Sequence, residues 1–205
     1  MTKIYHKNIK DKKLEILNSF RIGSWIYVEN PIEEELDSLS KEFKLDRSLL
    51  KDAIDVYEVP RMETEGKNIY IFSRFPYSEG GQTLTAPILL VMGEDFLMTV
   101  SLKKLPFLDR FTEEKIDFYT TQKTKLFLQL FSHINSSYNS FLNEINKKTR
   151  GLSIKADNIR NRDIIQFVSF EEIINDFLSS LVPTNNLLQN LLSGRSLKLY
   201  EDDKD

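Results

Sequence analysis

Around Leu105 the spacing of apolar residues changes from strand-like to helical. A chain with that change must combine a sheet with long helices. Beyond it, Leu126, Phe127, Leu130, Phe131, Ile134, Tyr138, Phe141 and Ile145 mark one face. They predict a helix of roughly 28 residues, about 42 Å long. Gly151 is expected to break it, and a polar stretch to Arg162 to link it to the next helix. Ile165, Val168, Ile173, Phe177, Leu181, Leu188 and Leu192 define that second helix, with a kink near Ser179 from Pro183 and a stop at Ser193-Gly194. Two long helices with a short connection make an antiparallel hairpin.

Before the change, the pattern is that of short strands. Ile4 with Tyr5, Leu14 to Leu17, and Trp25 to Val28 are candidates, with Gly23 as a turn. Ile69 to Phe72, Pro87 to Met92 and Phe96 to Val100 follow. Ser78 to Gln82 and Gly93-Glu94-Asp95 are the turns between them, so an antiparallel meander is the simplest reading. Ile88 to Val91 is apolar on both faces, which predicts a strand covered on both sides. Two short helices precede the meander. Asn30 is the expected cap of the first, with Pro31 at its first position, Glu33 as the capping-box acid, and Ile32, Leu36, Leu39 and Phe43 as its face. Asp46 is the expected cap of the second, whose face is Leu49, Leu50, Ala53 and Ile54. The predicted fold class is α/β. A mixed, partly antiparallel sheet of six or seven strands lies in α/β/α layers, flanked by the short helices on one side and a long C-terminal antiparallel helical hairpin on the other. Residues 1–119 form the sheet part and residues 120–205 the hairpin packed on it.

The 205 residues, 40% of them apolar, suffice for a substantial core. With no cysteine, disulfides, thiolate zinc sites and cysteine nucleophiles are excluded. The net charge is −3 and the 28 basic residues are dispersed, which argues against nucleic acid and against a polybasic membrane contact. A spanning helix needs about 20 mostly apolar residues, and the longest apolar run here, Pro87 to Met92, is of strand length.

Candidate chemistry is sparse. The two histidines, His6 near a frayed terminus and His133 on a helix, lie too far apart in sequence to suggest one site. No metalloprotease, dinucleotide, P-loop or nucleophile-elbow motif occurs. Glu33-Glu34-Glu35 suits a helix N-terminus. Asp52 and Asp55 are more unusual, because acids are disfavoured where a helix ends. Two readings of Asp52 stand side by side: an ion pair with a neighbouring Lys or Arg, or an oxygen ligand for a hard cation such as Mg2+. The acidic end at Asp202, Asp203 and Asp205 suits a solvated tail. No acid/base pair or nucleophile set is legible, so no enzyme and no organic cofactor are expected.

Several segments, taken in order, resemble the CorA-type magnesium and divalent-cation transporters. They are Trp25-Ile26-Tyr27-Val28-Glu29-Asn30-Pro31, Glu34-Glu35-Leu36 with Leu39 and Glu42-Phe43, and Leu50-Lys51-Asp52-Ala53-Ile54-Asp55. Pro60-Arg61-Met62-Glu63, a strand at Ile69 to Phe75, and Phe96 to Val100 continue the series. The stretch Asn186 to Tyr200, with Leu197 to Asp205 at its end, resembles the family segment just before a long stalk helix.

The resemblance implies the N-terminal cytoplasmic domain of a homopentameric membrane transporter, truncated before the stalk, two membrane helices and a Gly-Met-Asn pore motif. Full-length protein would sit in the cell membrane, with this part on the cytoplasmic side and membrane contact only through the missing C-terminal part. Such domains sense Mg2+ through acidic residues at subunit boundaries, with Co2+ or another divalent cation as alternative. Asp52 falls on a family sensing aspartate and is the metal-ligand candidate. Lys51 stands where the family commonly has Glu, and Ser136-Ser137 before Tyr138 where it has a second acid. Both departures remove negative charge, so the resemblance implies a weakened, relocated or absent Mg2+ site. Another class of function, a soluble module binding a partner protein through its long helices, would show as an exposed apolar stripe on the second helix. A third, an enzyme with a dispersed carboxylate site, would show as a deep pocket with converging acids.

Overall fold

The computed structural model describes residues 1–153 and 161–193. Seven strands form one sheet: β1 (Thr2–His6), β2 (Glu15–Leu17), β3 (Ser24–Glu29), β4 (Arg61–Glu65), β5 (Asn68–Glu79), β6 (Gln82–Met92) and β7 (Phe96–Ser101). Their order is β2-β1-β3-β7-β6-β5-β4. Only β3 and β7 pair in parallel, Ser24 opposite Phe96 through Glu29 opposite Ser101; the other neighbours are antiparallel. The expected meander is therefore present, preceded by β4, which the sequence reading does not single out. Gly80 and Gly81, with φ of +58° and +79°, form the two-residue turn between β5 and β6, the conformation a tight hairpin requires.

The alternation of side chains along each strand builds two apolar layers. Trp25 and Tyr27 of β3, Ile71 and Phe75 of β5, and Ile88 and Leu90 of β6 face one side. There they meet α3 (Leu108–Thr112), α4 (Lys123–Ser153) and α5 (Asn161–Leu192). Ile26, Val28, Tyr70, Phe72, Leu89 and Val91 face the other, under α1 (Glu33–Phe43) and α2 (Arg47–Asp52). The expected α/β/α layering and the covered strand at Ile88 to Val91 both hold. Each fully buried aliphatic or Phe side chain stabilises the fold by about 1.5–3 kcal/mol. Trp25 sits among aromatic rings: its own packs 5.3 Å from Tyr5, 5.9 Å from Tyr27, 5.8 Å from Phe111 and 6.2 Å from Phe118. Its indole N–H donates to Thr99 Oγ1 at 3.0 Å, so the polar edge is satisfied.

Several local expectations are corrected. Asn30 does not cap α1. It lies at φ +45° and its N–H donates to the Ser101 carbonyl at 2.8 Å, so the helix starts at Glu33 with Ile32 at the cap position. Glu35, not Glu33, closes the start, accepting the Ile32 N–H at 3.2 Å. Asp46 does cap α2, accepting from the Leu49 N–H at 2.9 Å. The helical regime begins at Lys123 and not at Leu105; between them only the short α3 is helical, and Leu105, Phe111 and Phe118 plug the sheet layer.

Gly151 does not end α4, which continues to Ser153. A helical glycine costs only about 1 kcal/mol relative to Ala. α5 begins earlier than expected, at Asn161, and runs through Pro183. Next to it the Thr184 hydroxyl donates to the Ser180 carbonyl at 2.7 Å. The hairpin is antiparallel: Phe131 and Ile134 lie by Leu181 and Leu188, while Ile145 and Lys148 lie by Gln166 and Phe170. The expected face of α4 is the buried one, but that of α5 is only partly so. Ile165, Val168 and Leu192 are exposed; Phe177 is buried as expected, joined by Phe170, Leu187 and Leu191. The remaining link, Gly194 and Leu197 to Asp205 lie outside the described residues.

Candidate functional site

Asp52 closes α2, where Asp46 caps the first turn and Leu50 and Ala53 anchor the helix to the sheet. The anchoring turns its carboxylate outward toward the start of edge strand β4. There Asp52 Oδ2 accepts from Arg61 Nη2 at 2.7 Å. The ion-pair reading of Asp52 is thus what the structure displays. Arg61 also donates through Nε to Glu63 at 2.8 Å and through Nη1 to Glu58. One guanidinium therefore holds three carboxylates, while its Cζ lies over the Phe72 ring, 4.1 Å from the centre. Packing on the ring fixes the fork, and the fork fixes the acids.

The loop between α2 and β4 is tied down from below. Arg74 donates to the Val56 and Glu58 carbonyls at 2.9 and 2.8 Å. Asp55 accepts from the Tyr57 N–H at 2.9 Å. Val56, Tyr57 and Val59 stand exposed on this rigid loop, Tyr57 at 86%.

Lys51, beside Asp52 in sequence, turns away to Glu33 at 3.3 Å, within a surface network where Arg47 reaches Asp37 at 2.5 Å. Arg47 holds the Asp37 carboxyl below its ordinary range through that hydrogen bond. Ser136 and Ser137 sit on α4, across the sheet from Asp52. Ser137 donates to the His133 carbonyl at 2.9 Å. The two positions linked by the family resemblance are therefore not brought together within one chain. Among the described residues no three His, Asp or Glu side chains are grouped to hold a metal ion.

The histidines are structural. His6 is buried in β1, not frayed, with Nδ1 3.8 Å from Asp11. His133 stacks on Phe107 and meets Phe111 edge-on. Burial there, assisted by Arg110, pushes its pKa below the ordinary 6.5. Sequence reasoning passes over Arg61, Glu58 and Glu63 as a unit; the signal available was a basic residue flanked by acids at +2 and −3.

The family model for the CorA-like Mg2+ transporter protein matches residues 22–205. The chain belongs to the CorA-like family. The complete CorA magnesium transporter from Methanocaldococcus jannaschii superposes with a TM-score of 0.86 at 20% identity, covering 100% of this chain and 66% of that one. The soluble domain of the same CorA gives 0.86 at 18% identity, with 100% and 84% covered. The ZntB cytoplasmic domain from Vibrio parahaemolyticus gives 0.76 at 9% identity, with 96% and 80% covered. These three carry the same fold. Comparison with curated proteins gives no match. This CorA-like chain spans about two-thirds of the complete transporter, and none of its described helices is long and apolar enough to cross a membrane.

Proposed function

We propose that this chain is the cytoplasmic, ion-sensing domain of a CorA-like divalent-cation transporter, homopentameric in the cell membrane. The observation that carries the reading is the family match over residues 22–205, supported by the fold shared with the CorA soluble domain. Sensing needs no bond making. Carboxylates from two subunits repel unless a divalent cation stands between them, so ion binding and subunit closure strengthen each other. Asp52 is the ligand on this chain: its side chain is 37% exposed, at a helix end, facing outward. Mg2+ is the regulatory ion, with Co2+ an alternative. Arg61 already neutralises Asp52, so an incoming ion must displace a bonded guanidinium. Together with Lys51 and the serines at 136 and 137, this predicts weak, millimolar-range binding.

Calorimetric and thermal titrations with MgCl2 and CoCl2, against KCl at matched ionic strength, test the proposal. A heat and a rise in Tm are expected for the wild type and should vanish in Asp52→Ala. Equal titration of both proteins would remove Asp52, and no response in either would remove ion sensing.

A second reading, partner binding through the long helices, is favoured by one observation. Ile164, Phe167, Ile174, Leu178 and Val182 recur at three, seven, four and four residues and are exposed along the outer face of α5. The stripe is about 27 Å long, suited to an apolar helix of a partner chain. Under this reading Leu178→Glu abolishes association in sedimentation velocity, and Mg2+ leaves Tm unchanged.

A further inference from the structure

Strand alternation puts Ile71, Ser73 and Phe75 of β5 on the same face of the sheet, toward α4 and α5. An apolar residue is the rule at such a position, yet the middle one is a serine. Ser73 is 1% exposed and its hydroxyl has no hydrogen-bond partner among the described residues. Leaving a buried hydroxyl unpaired is unfavourable, and native structures rarely do so without a reason.

Above Ser73, α4 and α5 splay to leave a cleft of about 500 Å3, within the range of small-molecule sites. Phe131, Ile134, Tyr138 and Leu181 form its walls, and the exposed Asn135 and Asn185 stand at its mouth. The Tyr138 hydroxyl is already engaged, donating to the Arg74 carbonyl at 3.2 Å. Burial pushes its pKa up to about 12, so it is neutral. No acidic or basic side chain lines the cleft. An ion would be desolvated there without a counter-charge, which excludes charged ligands.

We propose that this cleft binds a small uncharged amphiphile, with its apolar body between α4 and α5 and a hydroxyl or amide head on Ser73 Oγ. The site lies on the sheet face opposite Asp52 and is independent of ion sensing. Ser73 supplies one donor and one acceptor, and the asparagines at the mouth read a second polar group by the same chemistry. Because the ligand wedges between α4 and α5, occupancy ties the two helices to the sheet.

Benzyl alcohol and toluene, alike in body and differing in the head, are the probes. Each is titrated into the whole 15N-labelled chain and followed by NMR. Saturable shifts are expected at Ser73, Ile134 and Leu181, with benzyl alcohol binding roughly three- to tenfold tighter, the worth of one hydrogen bond. Ser73→Ala should erase that preference while leaving toluene affinity unchanged. Leu181→Trp should block both probes by filling the cleft, and Asn185→Trp, at an exposed position, should do so from the rim if the first variant fails to fold. Shifts that never saturate would overturn the proposal. So would a preference that survives Ser73→Ala, or binding that survives a folded cleft-filling variant.

Discussion

Asp46 and Asn30 are both residue types that cap helices, and only Asp46 does so here. The difference lies in tertiary bonding: the Asn30 N–H is taken by Ser101 on β7, which places the residue outside the helix. Asp46→Ala should therefore cost about 1 kcal/mol, in the usual 0.5–2 range for a lost cap, whereas Asn30→Gly, which adopts the φ of +45° without strain, loses no cap. Urea unfolding of both variants checks the contrast. Gly93 shows a second residue-scale constraint, since a Cβ there would lie 2.3 Å from the Phe96 ring, which is itself packed on Phe43. Gly93→Ala should destabilise by about 1–3 kcal/mol, the cost of overpacking, read by the same unfolding curves.

His133 gives the pH dependence. Its folded pKa is lowered, so the unfolded chain binds the proton more tightly and acid favours unfolding. Stability should fall as pH drops below about 6.5, and His133→Leu should remove that component of a pH–Tm profile. At this scale the sequence makes Asp52 visible as a misplaced acid at a helix end. Its partner is less visible, because the contact with Arg61 depends on how the loop returns the chain to β4. Ser73 was readable as a polar residue on an apolar alternation, but the cleft above it was not.

Elements were legible where periodicity had one solution. α4 has a single apolar face and buries it; α5 has two, and spacing cannot say which turns inward. The structure chooses Phe170, Phe177, Leu187 and Leu191, where Phe177 meets Tyr138 edge-on at 4.8 Å. Adjacent residues therefore carry opposite consequences. Phe177→Ala should cost about 3–5 kcal/mol in chemical denaturation, while Leu178→Ala should stay within about 0.5 kcal/mol of wild type. β4 went unread because it is an edge strand of five residues, Arg61 to Glu65, with three charged side chains. That composition protects an exposed sheet edge and hides it from a hydrophobic pattern.

At the scale of the whole molecule, one sheet serves as the wall of both apolar layers, so neither layer can melt alone without exposing the other. The only tryptophan, Trp25, lies in the layer under α4, and the far-ultraviolet signal sums helices from both sides. Tryptophan fluorescence and circular dichroism should report coincident urea transitions for the wild type and for Leu50→Ala, which weakens the opposite layer. Separate midpoints would mean that the layers unfold independently. The layering was legible from the sequence because strand runs and helix runs were segregated. That the two short helices α1 and α2 take one face and the long hairpin the other was legible too; α3, which joins the hairpin's layer, was not, since its five residues are too few to show a period.

The single parallel pair has a kinetic consequence. The meander from β4 to β7 joins strands close in sequence and can form early. The β3–β7 register must instead close about 70 residues of chain, and β1 and β2 reach the sheet only through β3. Side-chain truncation along β3, as at Val28, should slow refolding more than truncation at the tip of the β5–β6 hairpin. The N-terminal third of the sheet would then be the last part of the nascent chain to find its place, although it is the first to be synthesised.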